Sequence, residues 1–550
     1  MINMNNINNL LLCLIIFLSF VTLIQLFYKS KSVFGKLCVI SERAYWIFFG
    51  IGIVITVLIR VYQFGSVPGG MNQDGAMAAV DAKALSDYAT DRFGMFMPVH
   101  LTAWGYGQMS SLLSYLMVPF IKFFGLSVVT ARLPILLVSF AGIACLYLFV
   151  RDAFDKYLAL VVFLFAAINP WHIMQSRWAL DCNLFPHVMI IALFFLYKGL
   201  TKTKYLVLSM IFFGFSMYCY GISVYSVPLF LVASCIYMLF KKIITTKQVL
   251  LCVFVYLLIA WPFIVTMAIN FFHIETIETP FFTMPFFSNS VRSNDILFFS
   301  GNFWEQLVAN AKSFFNVILL QTKDLPWNDI EGFGTMYLFS LPFSLLGIVA
   351  FFKKQRQNHG GIVMFFLLLT GIWIGITTNG INVNRINLIF YPLIFFSAYG
   401  IYEVIHIFSS AKYVIGAVYL ISFCLFANVY FTSYAQQIEQ YFFKSFGEAV
   451  LAVKNSDAER LYITADSQYE GAGAVSEILT LFYHDIDAED FRSEEFHTRY
   501  VFESIKNITI NPQEDAEYVI TSNDLRYFDA NSFSFYGYGN YYVVRPKHIE

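Results

Sequence analysis

The sequence has little charge and almost no imbalance of charge. Only 13% of its 550 residues are charged, and 35 basic residues stand against 36 acidic ones. A nucleic-acid-binding surface needs a local excess of Lys and Arg, and this balance does not provide one. Nucleic acid is therefore excluded as a partner.

Cysteine pairs and the common catalytic motifs are missing as well. The eight cysteines show no C-x-x-C spacing and lie mostly inside apolar runs, which argues against a disulfide framework and a structural zinc site. The motifs GxxxxGK[ST], GxSxG, HExxH and GxGxxG are absent, so nucleotide hydrolysis and serine or zinc chemistry have no support. The need for a divalent metal or another cofactor is left open, because no residue pattern indicates one.

Apolar residues dominate what is present. The chain is 58% hydrophobic and 19% aromatic, with a mean hydropathy of +0.64, which is typical of an all-α polytopic membrane protein. A helix needs about 20 apolar residues to cross the hydrocarbon core. Runs near that length predict about twelve spans, at 8–28, 44–63, 131–150, 156–171, 183–199, 205–220, 224–240, 248–269, 335–352, 361–378, 388–407 and 412–431.

Basic residues predict the sidedness of these spans. They concentrate in short connections that the positive-inside rule places in the cytoplasm: Lys29 to Arg43, Arg151 to Lys156, Lys198 to Lys204, Lys241 to Lys247 and Lys353 to Arg356. This alternation holds only if the apolar segment 109–125 does not cross the membrane. We therefore predict a membrane-surface or re-entrant helix there, since it is short and contains Pro119 and Lys122.

With that sidedness, residues 1–43 form an extra N-terminal span and a cytoplasmic loop. Residues 44–431 form the membrane domain, with long external loops at 64–130 and 270–334. Residues 432–550 are richer in charge, and the stretches "RLYITA", "AEYVITS" and "NYYVVRP" alternate as strands do, with the helix-like "SEILTLFYHD" between them. They predict a small extracytoplasmic α/β domain.

The first external loop contains four aspartates, of which Asp74 and Asp81 would lie on one helix face about two turns apart. A carboxylate at the membrane surface is suited to act as a general base on an acceptor hydroxyl or amine. The alternative is that these acidic residues are simply solvated.

Two later clusters contain arginine at predicted external boundaries. In "NPWHIMQSRWALDCNLFP", Arg177, Asp181 and Asn183 form a candidate substrate site, or Arg177 and Asp181 form an i,i+4 ion pair at a helix end. In "NGINVNRINLIFYP", Arg385 is suited to bind a phosphate or phosphodiester. The alternative for Arg385 is a snorkelling side chain at a helix end.

The order of "VPGGMNQDGAMAAVDA", "DRFG", "GYGQMSSLLSYLMVPFIKFFGLSVVTARLP", "NPWHIMQSRWALDCNLFP" and "NVNRINLIFYP" resembles the bacterial membrane glycosyltransferases of family 39 type. These enzymes are relatives of protein O-mannosyltransferases and aminoarabinose lipid A transferases with the GT-C fold. The resemblance covers residues 44 to 431. It implies a polyprenyl-phosphate-sugar donor, inversion at the anomeric carbon, and an acidic catalytic base in the first external loop, which Asp74 matches.

The resemblance also matches Arg177, Asp181 and Asn183 to an element of the second external loop, and Arg385 to a donor-phosphate element. The chain departs from the family at Gly75, where the family often has Glu. The expected function is glycosyl transfer to a cell-envelope glycan, lipid or protein. The protein is expected to cross the cell membrane several times, with its active site and C-terminal domain on the extracytoplasmic side. The alternatives are a transporter or lipid flippase and a non-catalytic scaffold, and only the enzyme requires the candidate residues to converge.

Overall fold

The computed structural model describes residues 4–28, 40–105, 107–288, 302–321, 324–466 and 473–547. Within these ranges, sixteen α-helices precede the C-terminal region, and they are α1 Met4–Tyr28, α2 Glu42–Val61, α3 Gln73–Tyr88, α4 Leu112–Phe124, α5 Val128–Ala153, α6 Lys156–Ala167, α7 Pro170–Gln175, α8 Asp181–Gly199, α9 Thr203–Ser216, α10 Ser223–Phe240, α11 Thr246–Phe272, α12 Phe303–Phe315, α13 Leu341–Lys354, α14 His359–Thr377, α15 Phe390–Ile407 and α16 Ala411–Phe431. Two short antiparallel hairpins lie in the loops, and they are β1 His100–Thr102 with β2 Gln108–Ser110, and β3 Ile277–Glu278 with β4 Thr283–Met284.

The helices confirm a polytopic membrane protein. Among the described residues, nine helices are long and apolar enough to cross a bilayer, namely α1, α2, α5, α8, α10, α11, α14, α15 and α16. The other three predicted spans correspond to α6, α9 and α13, with 12, 14 and 14 residues. At 1.5 Å per residue, each of these is about 20 Å long and shorter than the hydrocarbon core.

The predicted span 156–171 is not one continuous helix. Helix α6 ends at Ala167, and the side chain of Asn169 then accepts the backbone N–H of His172 at 3.2 Å. Pro170 occupies the first turn of the new helix α7, where its missing N–H costs nothing. An asparagine cap followed by proline therefore starts a new helix inside the apolar run.

Four of the predicted basic connections, at 151–156, 198–204, 241–247 and 353–356, meet on one face of the molecule, whereas most of the connection from Lys29 to Arg43 lies outside the described residues. Lys198 Nζ lies 2.5 Å from Asp152 Oδ2, and Asn358 Nδ2 donates to the Ala153 carbonyl at 2.6 Å. Gln248 Nε2 donates to Thr203 Oγ1 at 3.0 Å. The grouping agrees with the alternation predicted from the basic residues.

The predicted external segments meet on the opposite face. Val99 N–H donates to the Thr283 carbonyl at 2.9 Å, which joins the first long loop to the second. Trp171 N–H donates to the Thr335 carbonyl at 2.9 Å. Helix α4 lies within the predicted surface helix 109–125 and has 13 residues, which makes it shorter than the hydrocarbon core, as α6, α9 and α13 are.

The C-terminal region is a small α/β domain. Its helices are α17 Ser433–Ile438, α18 Lys444–Ala452, α19 Gly473–His484, α20 Ala488–Phe491 and α21 Glu494–Arg499, and its strands are β5 Arg460–Thr464, β6 Tyr500–Glu503, β7 Ala516–Thr521, β8 Phe533–Tyr538 and β9 Tyr541–Pro546. The sheet order is β6-β5-β7-β9-β8, with β5 parallel to β6 and β7. The three predicted strands correspond to β5, β7 and β9, and the predicted helix corresponds to α19.

Glycine allows α13 and α15 to pack with their backbones almost in contact. A Cβ at Gly400 would overlap the Phe343 carbonyl oxygen, and a Cβ at Gly347 would overlap the Phe396 carbonyl oxygen. The hydroxyls of Ser344 and Ser397 are 2.5 Å apart at the same interface. Small residues are what closely packed membrane helices require.

We expect Gly400→Ala to destabilise the membrane domain by about 1–3 kcal/mol, because the new methyl group forces the two backbones apart. Thermal unfolding in detergent measures this loss. Gly416→Ala is the matched control, since Gly416 lies exposed on α16 and a Cβ there would meet no atom within 4 Å. An equal loss in both variants would contradict the close packing of α13 on α15.

Candidate functional site

Asp74 lies in the first turn of α3, on the face where the predicted external segments meet. A carboxylate is favoured there because the N-terminal end of a helix carries a partial positive charge. Its side chain is half-buried, and Trp104 Nε1 donates a hydrogen bond to Asp74 Oδ1 at 2.7 Å. The carboxylate is thus held in a defined orientation while part of it stays accessible.

Gly75 explains why a second carboxylate does not follow Asp74. A Cβ at Gly75 would lie 2.8 Å from the Ala179 carbonyl oxygen and 2.7 Å from Asn72 Oδ1. The start of α3 is therefore packed directly against the turn before α8, and a side chain at position 75 has no room. This contact also brings Asp74 next to the second predicted cluster.

Asp81 has a different environment from Asp74. It is fully buried, and its Oδ2 lies 2.7 Å from Nη1 of the buried Arg92. Its Oδ1 accepts the backbone N–H of Arg92 at 3.1 Å. A carboxylate enclosed in this ion pair does not reach an acceptor, so the geometry favours a structural role over the predicted catalytic one.

Arg177 uses its hydrogen-bond donors on the protein backbone. Its guanidinium donates to five carbonyl oxygens at and beyond the end of α2, those of Ile59, Arg60, Tyr62, Gln63 and Val67, at 2.8–3.3 Å. The side chain is fully buried. These bonds replace the ion pair with Asp181 that the spacing suggested, and they do not favour the predicted substrate contact.

A second buried arginine, Arg132, which the sequence indicated as a weaker phosphate-binding candidate of the same kind as Arg385, contacts the same turn. It donates to the carbonyl oxygens of Pro68 at 2.9 Å and Gly70 at 2.6 Å. The sequence signal was an arginine near the start of a span, which does not show what the guanidinium contacts. Together, Arg132 and Arg177 hold the chain between α2 and α3.

Asp181 and Asn183 lie in the first turn of α8, and both are buried. Asp181 Oδ1 accepts the backbone N–H of Cys182 at 2.7 Å. Asn387 Nδ2 donates to Asn183 Oδ1 at 3.3 Å and to the Cys182 carbonyl at 3.2 Å. Asn387, which the sequence reasoning missed, therefore connects the start of α8 to the segment that contains Arg385.

Arg385 is half-buried in the connection between α14 and α15. Its guanidinium donates to the Asn379 carbonyl, and its charge lies within electrostatic range of the Tyr225 hydroxyl. Asp324 Oδ2 accepts the backbone N–H of Val383 at 2.8 Å, which fixes the connection. The guanidinium therefore sits on an anchored loop at the same face as Asp74.

The predicted residues converge only in part. Asp74 and Asp181 both act electrostatically on Cys182, and Asn387 joins that region to the Arg385 segment. Arg177 is bonded instead to backbone carbonyls around the end of α2. Among the described residues, no group of three or more His, Cys, Asp or Glu side chains is arranged to hold a metal ion.

Asp329 is a further acidic residue near this face that the sequence reasoning missed. Burial raises its pKa to about 7, and the nearby charges of Asp324 and Glu331 act in the same direction. Shifts of this kind occur often at functional sites, although structural carboxylates show them too. Its only sequence signal was its place in the second long loop.

Comparison with known proteins gives one family match. Residues 110–265 match the family model of dolichyl-phosphate-mannose-protein mannosyltransferases, in agreement with the resemblance found in the motifs. No curated protein sequence matches the chain.

Several solved structures are similar to the chain. ArnT from Cupriavidus metallidurans bound to undecaprenyl phosphate is 16% identical, with a TM-score of 0.46 and coverage of 92% of this chain and 98% of ArnT. The apo oligosaccharyltransferase of Archaeoglobus fulgidus is 11% identical, with a TM-score of 0.48 and coverage of 88% and 70%. AglB from the same organism, in complex with an inhibitory peptide and a dolichol-phosphate, is 13% identical, with a TM-score of 0.47 and coverage of 80% and 63%.

We expect Arg177→Lys to lower the stability of the protein by more than about 2 kcal/mol, because one ammonium group cannot reach the five carbonyl oxygens that the guanidinium satisfies. Thermal unfolding without substrate measures this loss. Arg151→Lys is the control, because Arg151 pairs with Asp152 at an exposed position where ion pairs contribute little. Unchanged stability of Arg177→Lys with weakened donor binding would show instead that Arg177 contacts substrate.

Proposed function

We propose that the protein is an inverting membrane glycosyltransferase that uses a polyprenyl-phosphate-sugar donor and an extracytoplasmic cell-envelope acceptor, which is a glycan, a lipid or a protein. The observation that carries this proposal is the placement of Asp74. Its half-buried carboxylate stands at the start of α3, oriented by Trp104. This is the residue that the motif resemblance matches to the catalytic acid of the first external loop.

The reaction needs few protein groups, because the phosphate of the donor is already a good leaving group. Asp74 takes the proton of the acceptor hydroxyl or amine as that atom forms a bond to the anomeric carbon. The bond between the anomeric carbon and the phosphate oxygen breaks, and polyprenyl phosphate departs with the electron pair. Attack opposite the leaving group inverts the anomeric configuration.

Arg385 is the proposed partner of the departing phosphate. A fixed guanidinium stabilises charge that develops on phosphate oxygens, and this stabilisation is largest where water is partly excluded. Arg385 meets these conditions because it is half-buried on a loop anchored by Asp324. Arg177 has no part in this step, since its donors are bonded to the backbone.

The extracytoplasmic location is supported by charge and contact together. The basic connections lie on one face, as the contact of Lys198 with Asp152 illustrates. The Asp74 loop lies on the other face with the C-terminal domain, where the Tyr88 hydroxyl donates to Asp487 Oδ1 at 2.9 Å. Basic residues are retained in the cytoplasm, so the Asp74 face is assigned to the outside.

The alternative function is a transporter or lipid flippase, and one observation bears on it. Arg60, His172, Tyr391 and His187 form a buried chain of hydrogen bonds inside the helical bundle, at 2.7–3.1 Å. A transporter would need polar side chains that line a substrate pathway through the membrane. The four side chains bond to one another instead, and Arg60 also donates to the α6 carbonyls of Ala166 and Ala167. They are therefore better suited to fastening helices together.

We expect Asp74→Asn to reduce glycosyl transfer by about 100-fold or more, because an amide cannot accept the acceptor proton. Transfer is measured by mass spectrometry of envelope polymers in a strain that depends on the variant, with the amount of protein in the membrane as a check. Asp87→Asn on the exposed side of α3 is the matched control and retains transfer. Near-normal transfer by Asp74→Asn would refute the proposed role.

We expect Arg385→Gln to weaken the binding of undecaprenyl phosphate by about 10-fold, because one charge-assisted contact to phosphate is lost. Titration of the purified protein in detergent measures the change. Arg356→Gln, on the basic face and exposed, serves as the control and binds normally. Equal affinity of both variants would remove Arg385 from the donor site.

A further inference from the structure

The buried pair of Asp81 and Arg92 is connected to the candidate base through a chain of contacts. Arg92 Nη2 donates to the carbonyl oxygens of Thr102 at 3.0 Å and Ala103 at 3.2 Å. The next residue is Trp104, whose indole N–H bonds to Asp74. Asp81 thus reaches Asp74 through Arg92 and the β1–β2 hairpin.

We propose that Asp81, Arg92 and Trp104 form a positioning circuit that keeps Asp74 ionised and correctly oriented for proton transfer. This inference rests on the function proposed above and adds three positioning residues to it. Trp104 acts directly on the carboxylate, and Asp81 and Arg92 act through Trp104. Asp81 therefore supports the reaction without taking part in it.

Both ends of this positioning circuit, Asp74 and Asp81, lie on the same helix, α3. Asp74 and Asp81 are seven residues apart on α3, a rise of about 10 Å. The hairpin is attached near both positions, at one through the Arg92 guanidinium and at the other through the Trp104 indole. These two contacts tie the end of the hairpin to both positions of α3.

The loop between β1 and β2 needs this outside support. The hairpin is only three residue pairs long, and Ala103 N–H bonds to the Gly107 carbonyl at 2.8 Å at its end. A Cβ at Gly105 or Gly107 would meet no atom within 4 Å. A two-stranded hairpin is marginally stable alone. The bond of Val99 to Thr283 and the burial of Leu101 hold its base, and the bonds from Arg92 hold the end that leads to Trp104.

The ion pair of Asp81 and Arg92 is shielded from solvent. Asp81 and Arg92 expose 0% and 2% of their side chains, and removing one partner from such a pair leaves an uncompensated buried charge. The indole N–H, in turn, favours the ionised form of the carboxylate that accepts its bond. The predicted consequence of breaking the circuit is an Asp74 that ionises at higher pH.

The test compares pH–rate profiles of Trp104→Phe, Arg92→Lys, Asp81→Asn and the double variant Trp104→Phe/Asp81→Asn. Transfer is measured in membranes from a strain that lacks the protein, which contain the natural donor and acceptor, after addition of purified enzyme. Each single variant should lower kcat and move the acid limb upward by about one pH unit. The double variant should behave like either single variant, because the contacts act in series.

Trp104→Phe and Arg92→Lys keep the proposal testable if Asp81→Asn folds poorly. Phenylalanine retains an aromatic ring without the N–H. Lysine retains the charge and has three donors, but they sit on one nitrogen and cannot reach both Asp81 and the hairpin carbonyls as the forked guanidinium does. Hydrogen–deuterium exchange of residues 95–104 provides a readout independent of activity. Exchange should quicken in Arg92→Lys and Asp81→Asn, and remain unchanged in Trp104→Phe.

An acid limb that stays in place in Trp104→Phe would overturn the proposal, as would losses in the double variant that equal the product of the single losses. Lower thermal stability of Asp81→Asn with a normal pH profile would reduce the pair to a purely stabilising contact and also overturn it. Failure of the proposed function looks different, since Asp74→Asn itself would then retain transfer.

Discussion

The position of Asp74 depends on how the carbonyl groups between α2 and α3 find hydrogen-bond partners. The last carbonyls of a helix have no partner within the helix, and leaving them unpaired in an apolar environment is costly. Arg177 donates to those of Ile59 and Arg60, and Arg132 donates to those of Pro68 and Gly70. Because each guanidinium has five N–H donors in a fixed plane, two side chains define the path of the whole turn.

The C-terminal domain supports the same region from the other side. Gly70 adopts a φ of +87°, and a Cβ there would lie 2.8 Å from the backbone nitrogen of Lys444. At the far end of α3, Lys83 Nζ lies 3.8 Å from Asp487 Oδ2. The C-terminal domain therefore packs near both ends of α3, the helix whose first turn contains Asp74. These contacts support the segment that positions Asp74.

Much of the fold could be predicted from the sequence, because apolar length and alternation depend on local patterns. The basic connections grouped the loops onto two faces, and the strands β5, β7 and β9 followed from alternation. The break at Asn169 was missed because a polar cap followed by proline occupies only two residues inside an apolar run. The lengths of α6, α9 and α13 were overestimated for a similar reason, since hydropathy does not show where a helix ends.

The candidate site was less predictable, because residue type does not reveal the hydrogen-bond partner. Arg177 and Asp81 were noticed as ionisable groups near apolar segments, where such groups raise a functional hypothesis. Their partners, however, are backbone carbonyls of α2 and an arginine eleven residues away. Trp104 and Asn387 had no charge to attract attention, and their contribution follows only from the contacts they make.

The contact at Gly75 leaves no room for a second carboxylate directly after Asp74. The Ala179 carbonyl lies 2.8 Å from the place of a Cβ at position 75, so the close approach of α3 to α8 is incompatible with any side chain there. That approach also brings Asp74 next to Asp181 and Cys182. The same backbone contact thus excludes a side chain at position 75 and places Asp74 beside Asp181 and Cys182, while the indole of Trp104 gives Asp74 a polar neighbour of defined geometry.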